Sequence, residues 1–285
     1  MVLNILLVQL HVAPVKVNLD ERIAHVEQLI HKGLKDKPSV HLIVLPETSF
    51  CSYCQPDEAS AWRVGLEQEG KVKAWGERIA SELGCYVAFG YIGVERTTSK
   101  PKNALALYAP SGKLVHDQKK RFLYDSDKVW TKECASEFGS VELTMLPGSP
   151  RVMFAICNDI NARDFSEEEM NAFPLANSAR TSQASVIILS AAWCSAHPLM
   201  PPEDHDMPVT EDQQIDYWFG RLSPLHGKRV FFCCADLVGR EAIPGTKSRI
   251  RYCGSSCGID LSNGQVLAGP LDTETEGTLF FGLSI

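Results

Sequence analysis

The chain has 285 residues and 45% hydrophobic content, enough to bury a substantial core, and it is read as one domain over residues 1–285. A formal charge of −7 and a pI near 5.6, with lysines and arginines scattered along the chain, exclude a nucleic-acid-binding surface. No apolar run approaches the roughly 18 residues a membrane span needs, and the opening Met1 to Leu10 lacks a signal peptide's basic start and cleavage site, so a cytoplasmic location is expected.

Val2 to Val8 reads as a first core strand. Behind an Asn18/Asp20 start signal, Ile23, Val26, Leu29, Ile30 and Leu34 fall at helical spacing over 20–34. Val40 to Leu45 is a second, all-apolar strand, which suggests a crossover unit on a sheet covered by helices. A helix over 67–83 carries Val72, Trp75, Ile79 and Leu83 on one face and stops at Gly84. Cys85 to Val94 is a strand, and 103–109 with 113–116 form a hairpin about Pro110-Ser111-Gly112. After a strand ending at Ile156, residues 165–183 are helix-compatible, with acids at Glu167, Glu168 and Glu169 suiting the helix dipole. Ser185 to Ser190 is another buried strand. Cys194 to Thr210, rich in proline, histidine and acid, reads as an irregular loop over a site, and its His197 and His205 read as solvated loop histidines. A helix over 212–222, a strand at 230–235, a mobile loop at 239–249 and a last hairpin over 252–268 complete the order. Two sheets with helices outside, a four-layer α-β-β-α sandwich of α/β class, accommodate it.

Ten cysteines raise the question of zinc, because Cys51 and Cys54 are spaced C-x-x-C and Cys253 and Cys257 C-x-x-x-C. The residues between them are not knuckle-like, and Cys85, Cys157, Cys233 and Cys234 lie in or beside apolar runs, so reduced thiols and no metal site are expected.

Three stretches carry chemistry. Val152 to Ile156 ends abruptly at Cys157-Asn158-Asp159, delivering a thiol to the carboxyl end of a strand; Leu42-Ile43-Val44-Leu45-Pro46 ends at Glu47; and the hairpin runs into Lys119-Lys120-Arg121-Phe122-Leu123-Tyr124. Singly, each has an ordinary reading: a core cysteine, a solvated loop charge, a surface lysine patch. Together, in this order and separation, they resemble the nitrilase or carbon-nitrogen hydrolase superfamily over nearly the whole chain. The segments Lys120 to Tyr124 with Asp127 and Trp130, Cys157 to Asn161, Ile188 to Trp193, Tyr217 to Leu225 and Tyr252 to Ser256 look like its protein N-terminal amidase branch. The chain departs from the family's Asn-Arg-x-Gly-x-Glu stretch with Asp236-Leu237-Val238-Gly239-Arg240-Glu241, a change expected to alter the pocket, and has Gln118-Lys119 where Tyr-Arg is usual.

The resemblance implies amide hydrolysis with Cys157 as nucleophile, Glu47 as proton shuttle, and Lys120 with the backbone N–H of Asn158 holding the oxyanion. Glu133 is the expected second glutamate, holding Lys120 or positioning substrate, with Glu137 its rival. No cofactor is implied. Recognition of a chain terminus needs a carboxylate for the α-ammonium; Asp159 is the first choice, with Glu241 and Asp236 behind it, and Trp193 and Tyr217 are candidate pocket walls. The implied reaction deamidates amino-terminal Asn or Gln of peptides or proteins, a step feeding amino-terminus-dependent degradation, in a superfamily whose members commonly form homodimers. A small-molecule amidase of the same superfamily, of ω-amidase or carbamoyl-amide hydrolase type, and a catalytically silent adaptor for chain termini are the competing readings.

Overall fold

The computed structural model describes residues 2–95, 97, 100–133, 137–195 and 207–285; His197 and His205 lie outside them. In chain order the first half runs β1 (Val2–His11), α1 (Leu19–Leu34), β2 (Leu42–Val44), α2 (Glu58–Leu83), β3 (Tyr86–Glu95), β4 (Lys100–Tyr108), β5 (Leu114–Lys119), α3 (Asp125–Lys128), β6 (Ser140–Glu142) and β7 (Arg151–Ile156). The second half runs α4 (Glu167–Asn171), α5 (Pro174–Thr181), β8 (Val186–Ser190), α6 (Glu211–Arg221), β9 (Phe231–Ala235), β10 (Leu237–Ala242), β11 (Arg249–Cys253), β12 (Cys257–Asp260), β13 (Gln265–Ala268) and β14 (Gly277–Ser284).

The larger sheet has the order β11-β10-β1-β2-β3-β4-β5, with β14 also paired to β1, and the smaller has β13-β12-β9-β8-β7-β6. Alternation along β1 shows how they stack. Leu3, Ile5 and Leu7 pack into a core shared with Val152, Phe154, Ile188 and Phe232 of the smaller sheet, whereas Leu6, Val8 and Leu10 join Val26, Ile30, Val72, Trp75 and Ile79 of α1 and α2. On the far side Leu175, Ala176, Ile215 and Trp218 bring α5 and α6 onto the smaller sheet. The result is the four-layer α-β-β-α sandwich, in which each fully buried leucine or isoleucine contributes roughly 1.5–3 kcal/mol.

Several elements differ from the sequence reading. The long helix begins at Glu58, because the Asp57 carboxylate caps the N–H of Ser60 at 2.7 Å, and its first turns bury little beyond Ala61 and Gly65. The 165–183 segment is two short helices, broken where Phe173 adopts φ 45° before Pro174. Residues 239–249 form the tip of a hairpin: β10 and β11 pair over five residues, Val238↔Cys253 to Ala242↔Arg249, and 243–248 connect them. Tyr252 and Cys253 belong to β11, so the chain changes sheets across Gly254 to Ser256 before β12. β14, unassigned in the sequence reading, pairs antiparallel with β1 from Val2↔Ser284 to Gln9↔Gly277.

What matters for function is strand direction. β1, β2 and β3 are mutually parallel, as are β7, β8 and β9, so Glu47, Cys157, Trp193 and Asp236 all follow the carboxyl ends of parallel strands. The two sheets are tied together at that end: Ser190 Oγ donates to Leu45 O at 2.9 Å and Glu47 N to Ala191 O at 3.3 Å.

Candidate active site

Glu47 leaves β2 through Pro46, and its loop lies directly on β3. An added Cβ on Gly90 would sit 2.4 Å from Glu47 Cα, so only glycine permits this approach. The Glu47 side chain is fully buried and used at both oxygens. Oε1 accepts from Lys120 Nζ at 2.8 Å and Asn103 Nδ2 at 2.6 Å, and Oε2 accepts from the N–H of Ala192 at 3.0 Å. Lys120 follows β5, also donates to Asp127 Oδ2 at 2.6 Å, and rests over the ring of Tyr53. Asn103 bridges back to Asp127 Oδ1 at 2.9 Å. One ammonium thus serves two buried carboxylates. Burial pulls Lys120 down, but Asp127 and Glu47 outweigh it and hold the ammonium well above the ordinary lysine value; burial, with Asp127 behind it, raises Glu47 although Lys120 opposes.

Cys157 opens a 3-10 turn, Cys157–Ile160, at the end of β7, with φ 45°. A left-handed backbone at a residue with a side chain is strained and marks a thiol turned sharply out of the strand. The Asn158 N–H lies in the first turn, where donors lack partners within the turn. Burial first, and then Glu47, push the Cys157 thiol well above its ordinary value, against Lys120, so it rests protonated. Cys157 and Asn158 form the floor of a cleft walled by Tyr53, Tyr124, Trp193 and Tyr217, with the Trp193 and Tyr217 rings 5.4 Å apart.

The remaining expected residues lie elsewhere. Glu133 pairs with Arg163 at 3.3 Å and Glu137 with Arg121 at 2.7 Å, both toward solvent; the carboxylate that holds Lys120 beside Glu47 is Asp127. Asp159 does not face the cleft. Its Oδ1 accepts from the N–H groups of Arg121 and Phe122 at 2.9 and 2.8 Å and its Oδ2 from Ile156 at 3.0 Å, so it pins the lysine loop to the cysteine turn. Burial outweighs those bonds and raises its carboxyl to about 7. Glu241 is likewise committed, accepting from the N–H groups of Tyr53 and Cys54 and from the Tyr252 hydroxyl. Asp236 is different. Oδ1 accepts from Trp193 N at 2.7 Å and Leu237 N at 2.8 Å, while Oδ2 is buried without a hydrogen-bond partner. Burial drives this carboxyl well above its ordinary value.

Tyr53, Asn103 and Asp127 were missed as site residues. Asp127 had a signal, seven residues beyond Lys120 in a motif already singled out; Asn103 had none, since its side chain meets Glu47 only through strand pairing. Among the described residues no group of three or more His, Cys, Asp or Glu side chains is placed to hold a metal ion, and no helix is long and apolar enough to cross a membrane. Cys51, Cys54, Cys253 and Cys257 are buried free thiols.

The carbon-nitrogen hydrolase family profile matches residues 5–213, and the chain belongs to that family. It is 26% identical to the protein N-terminal amidase of Schizosaccharomyces pombe over 288 residues, covering 91% of this chain and 92% of that protein. Solved structures share the fold: an N-terminal amidase bound to a Gln-Gly peptide (TM-score 0.81, 14% identity, 99% of this chain and 97% of that one) and a Helicobacter pylori G27 carbon-nitrogen hydrolase (TM-score 0.77, 18% identity, 99% and 88%).

Proposed function

We propose that this chain is a cysteine amidohydrolase that deamidates amino-terminal Asn or Gln of peptides and proteins, leaving Asp or Glu and releasing ammonia. Glu47 takes the Cys157 proton as the sulfur attacks the side-chain amide carbon, and Lys120 Nζ with the Asn158 N–H holds the oxyanion. The protonated Glu47 then delivers its proton to the departing nitrogen, a thioester remains on Cys157, and Glu47 activates the water that cleaves it. The raised carboxyl of Glu47 suits both directions of transfer, since an ordinary carboxylate would be a weak base toward a thiol.

The observation that carries the amino-terminal specificity is a charge count. Glu47, Asp127 and Asp236 are buried around the site with Lys120 as the cation among them, and Asp236 Oδ2 has no donor. A substrate ammonium reduces that surplus and lets Asp236 ionise, which a neutral amide does not do. The likeness to the fission-yeast N-terminal amidase and to an amidase solved with a Gln-Gly peptide supports the same reading. Exposing an acidic terminus fits a place ahead of amino-terminus-dependent degradation.

The test is ammonia release from an Asn-initiated peptide, its N-acetylated twin and free asparagine. Turnover of the free-amine peptide above both others, lost in Cys157→Ala, is expected. Asp236→Asn is expected to raise KM for that peptide on the order of 10-fold, the loss of one charge-assisted contact. Equal turnover of the acetylated twin would overturn the terminal specificity, and equal turnover of free asparagine would favour the small-molecule amidase. A silent wild type would favour the adaptor.

A further inference from the structure

Tyr53 has one feature the mechanism above leaves unused. Its side chain is 1% exposed yet lines the cleft floored by Cys157. Its hydroxyl oxygen lies 3.4 Å from Lys120 Nζ, and the same ammonium sits 5.4 Å from the centre of its ring. An ammonium has only hydrogens to give, so toward Lys120 the hydroxyl is an acceptor and its own proton points elsewhere. Among the described residues no acceptor takes that proton, whereas a buried tyrosine hydroxyl ordinarily finds one. Burial first, then the negative charges of Asp127 and Glu47, push the phenol well above its ordinary value, which keeps the donor in place.

The loop around it is built to hold the ring still. Glu241 accepts from the N–H groups of Tyr53 and Cys54, both at 3.2 Å, and from the Tyr252 hydroxyl at 2.7 Å. The Tyr252 ring meets Tyr53 edge-on at 6.2 Å. Two of the three Lys120 hydrogens go to Glu47 and Asp127 at 2.8 and 2.6 Å; the third rests on the Tyr53 hydroxyl at the longer distance of 3.4 Å and is the one that turns to the substrate's oxygen. We propose that the Tyr53 hydroxyl is a catalytic hydrogen-bond donor that joins Lys120 and the Asn158 N–H on the oxygen of the tetrahedral intermediate, with Glu241 as its positioning residue. This inference rests on the amidase reading. No proton is transferred: the phenol keeps its hydrogen and strengthens one contact as negative charge grows on the substrate oxygen.

Wild type, Tyr53→Phe, Glu241→Ala and the double variant are compared on an Asn-initiated peptide for kcat and KM, and by mass spectrometry for the rate of Cys157 alkylation by iodoacetamide. Loss of one oxyanion donor is expected to lower kcat about 100-fold in Tyr53→Phe, with KM and the alkylation rate within about 3-fold of wild type. Glu241→Ala lowers kcat alone but adds little to Tyr53→Phe, because both act through one hydroxyl. Unchanged kcat in Tyr53→Phe, a change confined to KM, or a parallel collapse of alkylation would overturn the proposal and leave amide hydrolysis standing. A wild-type enzyme that releases no ammonia would overturn both.

Discussion

Two clusters in this molecule are built from the same side-chain types and behave oppositely. In one, Lys120 lies between Glu47 and Asp127 over the ring of Tyr53, with every charged side chain at 0% exposure. In the other, three residues earlier in sequence, Asp117 of β5 accepts from Lys102 at 3.0 Å, Lys73 at 3.2 Å and the Tyr91 hydroxyl at 3.0 Å, and both lysines lie over the Tyr91 ring. Here the lysines are 15% and 22% exposed and Asp117 19%. Burial pushes Asp117 up, but Lys102 and Lys73 outweigh it and hold the carboxyl below its ordinary value, whereas Glu47 ends above its own. The difference lies in charge count and water. In the outer cluster two cations meet two carboxylates, since Lys73 also pairs with Glu69 at 2.9 Å, and the balanced charges make an inert network; one cation between two carboxylates, in a closed site, leaves a carboxyl raised toward a proton.

The largest contrast should come from removing a lysine at each cluster. Lys120→Ala leaves two buried carboxylates without their cation, and a loss of about 3–5 kcal/mol in urea unfolding is expected together with loss of turnover. Lys102→Ala is expected to cost about 1 kcal/mol or less and to leave kcat unchanged, since Lys73 remains on Asp117 and water reaches the pair. Comparable losses in both variants would break the distinction.

The second contrast is in pH dependence. In the proposed mechanism Glu47 accepts the thiol proton and must be unprotonated to do so, and its carboxyl is raised, so kcat/KM is expected to fall with decreasing pH in a range above that of an ordinary glutamate. A limb at or below the ordinary glutamate range would contradict the raised direction. Asp117 acts through stability instead. Its folded pKa lies below the unfolded value, so its contribution is present above the unfolded pKa and lost as pH falls through the folded one.

Asp117→Asn is expected to act on stability alone. It should lower stability at neutral pH by about 1–2 kcal/mol and flatten the acid limb of a stability-against-pH curve, with turnover unaffected. A change in kcat would mean that the outer cluster is coupled to the site through β5, on whose edge Lys120 follows.

Asp159 and Asp127 show where local reading stops. Asp159 is two residues from Cys157, which made it the first choice for touching substrate, but a 3-10 turn has three residues per turn, so positions two apart face different directions. Its carboxylate therefore meets backbone N–H groups of the lysine loop. Asp127, marked in the sequence only as part of a motif seven residues beyond Lys120, reaches that lysine because it lies on α3, the short helix that folds the chain back after β5. Glu58 starts its helix and Phe173 breaks one for equally local reasons, a capping carboxylate and a left-handed backbone, that apolar periodicity does not report.

Sequence by itself determined the buried strands and the residues at their exits, because an all-apolar run followed by Glu47 or Cys157 has only one way to place them once the strands are parallel. Tertiary structure alone decided which carboxylates became partners of Lys120, which became a splint, and which was left with an unpaired oxygen. Those choices depend on how two sheets meet at their carboxyl ends, and on how many cations and how much water each buried charge finds there.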